Sequence, residues 1–144
     1  MKLFTRILAT LACVGIIGCG GVKIKQNAVL SAQGIESTLR TARETELTLY
    51  QSGTVAQLTP AIHQQINATL VEAFDDQIKL ASVLKEWRSG DPVPTTLNAI
   101  IADMQDTIRV ITMQLPSSQV TNLLEKVSAV ILAVQQTELV LGGK

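Results

Sequence analysis

The stretch TPAIHQQINATLVEAFDDQIKLASVLKEWRSG, residues 59–90, decides the fold. Thr59 offers a side-chain oxygen to the free amides of a helix start, and Pro60 stands at the first helical position, where its missing N–H costs nothing. Ile62, Ile66, Leu70, Phe74, Ile78, Ala81, Leu84 and Arg88 then follow at spacings of three and four, which predicts a helix with one apolar stripe. Ser89-Gly90 supplies the stop, because glycine takes the left-handed cap conformation without strain. A helix from Pro60 to Arg88 would be roughly 43 Å long at 1.5 Å per residue. Its stripe needs partners of the same kind.

The flanking sequence provides them. Upstream, Ala28, Ala32, Ile35, Leu39, Ala42, Glu46 and Leu49 share one stripe, with Ser52-Gly53 as its stop. Glu46 interrupts that stripe, which predicts an exposed far end. Downstream, Asp91-Pro92-Val93-Pro94 forces an extended turn. A third helix from Thr95 or Thr96 carries Leu97, Ile100, Ile101, Met104, Ile108, Ile111 and Leu115 and ends at Pro116-Ser117-Ser118. A fourth carries Val120, Leu123, Leu124, Val127, Val130, Ile131, Val134 and Leu141 and stops at Gly142-Gly143. Its middle, Val127 to Val134, is apolar nearly all round, which predicts burial at the bundle centre. Short connections favour antiparallel neighbours, so the expected fold is all-α: an antiparallel up-down four-helix bundle following an N-terminal signal segment. The first two helices are the longer pair.

Composition agrees with that architecture. Of 144 residues 47% are hydrophobic but only 3% aromatic, so the core must be built from Leu, Ile, Val and Ala. The formal charge is zero and the bases are dispersed, which excludes the dense cationic face that nucleic acid requires. Of these bases only Lys23 and Lys25 lie close to the glycines at positions 18, 20 and 21; the pair reads first as part of a solvated linker and second as a contact with anionic headgroups.

That beginning has its own logic. Lys2 and Arg6 precede an uncharged apolar run, Ile7 to Ile17, and Ile16-Ile17-Gly18-Cys19 closes it. The order is that of a secretory signal, with a positive start, an apolar middle and a small residue before the cut. The run is too short to span a bilayer, which takes about 20 apolar residues. Ile16, Ile17, Gly18 and Cys19 resemble the lipobox of bacterial lipoproteins: a branched aliphatic three places before the cysteine, a small or aliphatic residue next, and Gly or Ala directly before it. Cys13 is the weaker competitor, since Thr10 occupies its aliphatic place.

The resemblance implies cleavage before Cys19, diacylglycerol on its sulfur, and stable anchoring by two or more acyl chains. It divides the chain into a signal peptide at 1–18, a lipidated cysteine and tether at 19–25, and a helical bundle domain at 26–144. Gly20 rather than Asp after the cysteine favours, by the same resemblance, the outer membrane of a host that has two.

Candidate chemistry is sparse. Glu72 with Asp76 and Asp103 with Asp106 have carboxylate spacings suited to one helix face, but no histidine accompanies them as a bundle metal site would require. His63, the one histidine, falls in the first turn of its helix and reads as a surface or partly satisfied residue. Asp75 and Asp76 point about 100° apart and cannot share a proton. Asp75 with Lys79, four residues on, reads as a solvated salt bridge, as does Glu36 with Arg40. No serine or threonine has a base beside it in sequence; only a fold that brought Lys126 to one would change that. Neither nucleotide nor zinc motifs occur. Trp87 reads first as a cap on the bundle end and second as a contact for a partner.

The expectation is a non-enzymatic, cofactor-free lipoprotein of the cell envelope, held to a membrane through Cys19. It would serve as an interaction or structural module, meeting a protein partner or a second copy of itself. The alternative is a binding protein that holds an apolar small ligand between its helices.

Overall fold

A computed structural model describes residues 20–56, 58–114 and 121–142. The expected signal segment, Cys19, Leu115, Pro116-Ser117-Ser118, Val120 and Gly143 lie outside the described residues. Four helices run in chain order: α1 Gly20–Ser52, α2 Pro60–Glu86, α3 Thr95–Gln114 and α4 Thr121–Val140. They form an all-α bundle in which, among the described residues, each helix packs closely on two neighbours, α1 on α2 and α4, α3 on α2 and α4, while the diagonal pairs have no close backbone approach. The α1·α4 and α2·α3 seams are the more extensive. Contacts at both ends of the first pair establish its antiparallel sense: Glu46 of α1 meets His63 of α2, and Lys25 of α1 meets the carbonyl of Trp87 just beyond α2.

The helix boundaries follow local chemistry. Thr59 caps α2, its hydroxyl oxygen accepting from the Ile62 amide at 3.3 Å, with Pro60 next in line. Gly53, Gly90 and Gly142 each follow a helix with positive φ, of 62°, 101° and 88°. Helix α2 ends at Glu86, two residues before the expected Arg88, because Trp87 leaves helical geometry at ψ 125°. Helix α1 is described from Gly20, so the stretch Gly20–Lys25 expected as a tether is helical.

The core has a stricter rhythm than the sequence reading assigned. The core line runs through buried positions 28, 32, 35, 39, 42 and 46 in α1 and 66, 70, 73, 77, 80 and 84 in α2, where Thr69 and Asp76 are buried beside it; α3 contributes 97, 101, 104, 108 and 111, and α4 123, 127, 130, 134, 137 and 141, the last just past its end. Every series alternates steps of four and three, the 3.5-residue repeat of helices packed knobs-into-holes. The expected α2 stripe instead took successive steps of four, each turning about 400°, so it drifts roughly 40° per step off the core line. Phe74 therefore ends half-buried and Ile78 exposed, while Ala73 and Gln77 hold the core positions.

A second expectation fails in α4. Val127, Val130 and Val134 are buried, but Leu132 between them is 58% exposed and Leu139 69%. Because α4 touches only α1 and α3, its outer side has nothing to pack against.

Candidate functional site

The α1·α2 seam gathers the residues of chemical interest at two levels. At the level of the α1 C-terminus, Glu46 is 1% exposed, contrary to the exposed far end expected of it. Its burial is tolerated because the partner arrives from the opposite helix: His63 Nδ1 lies 2.7 Å from Glu46 Oε1. The imidazole is itself stacked on Tyr50, ring centroids 3.8 Å apart and planes 3° from parallel. Glu46 and Tyr50 are one helical turn apart, so α1 supplies both the acceptor and the flat surface that orient the ring.

A carboxylate–imidazole pair is also the supporting half of a catalytic triad. Among the described residues, however, no hydroxyl hydrogen-bonds the other ring nitrogen, and none hydrogen-bonds Lys126. The arrangement positions a histidine without aligning a nucleophile.

At the other level, near the start of α1, the seam opens into a groove of about 480 Å³. Val29, Ala32, Ala81 and Leu84 line its walls and Lys25 and Lys85 its rim. Gln77 also lines it. This residue occupies a core position at 6% exposure, yet its amide makes no hydrogen bond among the described residues. A smaller adjoining groove of about 370 Å³ shares Lys25, Val29 and Gln33 and runs on to Leu30 and Ser89. Glu36 is on the lining as well, with Arg40 donating to its Oε1 from Nε and Nη2 at 3.1 and 2.7 Å.

The remaining sequence candidates disperse. Glu72, Asp103 and Asp106 are exposed, and among the described residues no three of His, Cys, Asp and Glu come together as a metal-binding group. Asp106 lies 3.7 Å from Arg109 on its own helix. Lys79 pairs with Asp76 at 2.8 Å and not with Asp75 as expected, because the i,i+3 carboxylate is the one turned toward it. That hydrogen bond, reinforced by the carboxylate's charge, raises the Lys79 ammonium above the usual 10.5.

Trp87 is 5% exposed, and its indole N–H donates to the Asp91 carbonyl at 3.1 Å. The side chain closes the bundle end and binds the following loop, and it lines a surface groove together with Val83, Arg88 and Pro92. Among the described residues no helix is long and apolar enough to cross a membrane. Cys19 lies outside the described residues.

Neither Glu46 nor Gln77 stood out in the sequence as a site residue. Each sits at an apolar beat of a 3.5-residue repeat, which is the signal that could have found it. Compared with known proteins, the chain matches no family model, no curated protein and no solved structure.

Proposed function

We propose that the protein is a membrane-tethered lipoprotein of the cell envelope, cut before Cys19 and acylated there, with its helical bundle acting as a non-catalytic interaction or structural module. The observation that carries this reading is the order of Lys2, Arg6, an uncharged apolar run and Ile16-Ile17-Gly18-Cys19. It is supported by where α1 starts. With a helix from Gly20, an anchor on Cys19 leaves almost no slack, and the end of the bundle that carries Lys23, Lys25, Lys85 and Arg88 would rest at the headgroups. Each of these bases would add roughly 1 kcal/mol of attraction to an anionic surface. By the lipobox resemblance, Gly20 after the cysteine favours the outer membrane where the host has two.

The interaction role is supported by apolar residues exposed one heptad apart on two helices, Val71 and Ile78 on α2 and Leu132 and Leu139 on α4. Such pairs lie on one side of their helix and offer a partner, or a second copy, a short ridge.

Intact-mass measurement of protein extracted from its host's membranes tests the anchor. A chain beginning at Cys19 with the added mass of diacylglycerol is expected, and Cys19→Ala should leave the membrane fraction. A chain that retains residues before Cys19, or a Cys19→Ala form that fractionates unchanged, overturns the reading.

A further inference from the structure

The buried amide of Gln77 has no counterpart within the protein. A buried amide without a hydrogen bond loses its hydration and gains nothing in return, a cost of about 1–3 kcal/mol, and native interiors keep very few of them. Gln77 is also not enclosed by core on all sides. It faces a groove whose walls are apolar and whose rim carries two ammonium groups.

Those charges are not cancelled locally. Lys85 forms no ion pair among the described residues, and Lys25 donates to the backbone carbonyl of Trp87, which fixes its place and leaves its charge intact. The one carboxylate on the lining, Glu36, is engaged by Arg40. The rim therefore presents cationic groups above apolar walls, with an amide below them able both to donate and to accept.

We propose that this groove binds a long-chain carboxylate, its acyl chain lying along Val29, Ala32, Ala81 and Leu84 and its carboxylate held between Lys25 and Lys85, with the Gln77 amide donating to it. A groove of about 480 Å³ is at the size of small-ligand sites. Its continuation past Val29 and Leu30 extends the apolar track for a single chain. The ligand lies on the outside of the α1·α2 seam and leaves the four-helix core packed. The proposal rests on the groove alone and is independent of lipid at Cys19.

Photolabelling with a diazirine analogue of palmitate, on the full chain purified in a mild non-ionic detergent, tests it. Covalent label is expected on peptides spanning 25–36 and 77–85, and excess palmitate should displace it while hexadecanol should not. Lys85→Glu, at an exposed position, should lower labelling roughly fivefold by turning an attraction into a repulsion. Ala81→Phe should abolish labelling by filling the groove, with an unchanged helical spectrum and melting temperature showing that the fold persists.

Three outcomes overturn the proposal. Label spread over the whole surface would mean adventitious partition. Loss in Ala81→Phe with none in Lys85→Glu, together with displacement by hexadecanol, would mean an uncharged ligand. Labelling of the Cys19→Ala chain but not of the acylated protein would mean that the protein's own acyl chain fills the groove.

Discussion

Glu46 and Gln77 occupy equivalent places in the architecture and meet opposite fates. Each is a polar residue at a core beat of its helix, in the same α1·α2 seam, and each is almost fully buried. Glu46 finds His63 across the seam at 2.7 Å, and the imidazole is held in turn by Tyr50. Gln77 finds no hydrogen bond among the described residues and faces a groove instead. The difference is one of partners. A polar side chain inside a bundle is structural when the neighbouring helix completes it, and open to another molecule when the neighbour leaves a gap.

The largest effect sets the scale. Leu70, a fully buried core residue of the same helix, should cost about 2–5 kcal/mol on truncation to alanine, measured by urea unfolding. A loss under 1 kcal/mol would mean that the seam is loosely packed, and the contrast between its two levels would lose its basis. Next comes the satisfied level. His63→Ala should destabilise by about 1–3 kcal/mol, because Glu46 is left buried without its partner. The double variant Glu46→Leu, His63→Leu should recover much of that loss, since apolar side chains of similar size replace a buried polar pair at little net cost.

The unsatisfied level should respond with the opposite sign. Gln77→Leu is expected to stabilise the protein by roughly 1 kcal/mol, as it removes a desolvated amide and breaks no bond. If Gln77→Leu destabilises instead, the amide is satisfied in solution and the two levels are alike. The smallest effect belongs to an ion pair whose lysine stands in solvent. Because its partner raises the Lys79 pKa on folding, the Asp76–Lys79 contribution is full below pH 10.5 and is lost as pH rises through the folded value. Asp76→Asn should remove that alkaline slope, seen by comparing urea midpoints at pH 9 and above pH 11.

Trp87 and Ile78 mark how far sequence reading reaches. The cap at Thr59-Pro60, the breaks at Gly53 and Gly90 and the number of helices were all legible, because each depends on backbone geometry within a few residues. Which face of α2 turns inward was not, since Phe74 and Ile78 are as apolar as their neighbours and only packing against α1 and α3 selects the 3.5-residue line. The bundle-end role of Trp87 could be weighed but not decided before its indole was placed against the Asp91 carbonyl. Nothing near Glu46 announced His63, 17 residues away on another helix.

The order of residues along the chain was enough to establish four amphipathic helices and their antiparallel arrangement, and it carries the proposal of an export signal ahead of them. These follow from turn chemistry, hydrophobic period and the local make-up of the first 19 residues. Tertiary structure alone decided that one buried polar group would be answered and another left facing a groove. It also brought Lys85 beside Lys25, because helices that run in opposite directions place distant parts of the chain at one level, and electrostatics and hydrogen bonding act only across the few ångströms that folding closes.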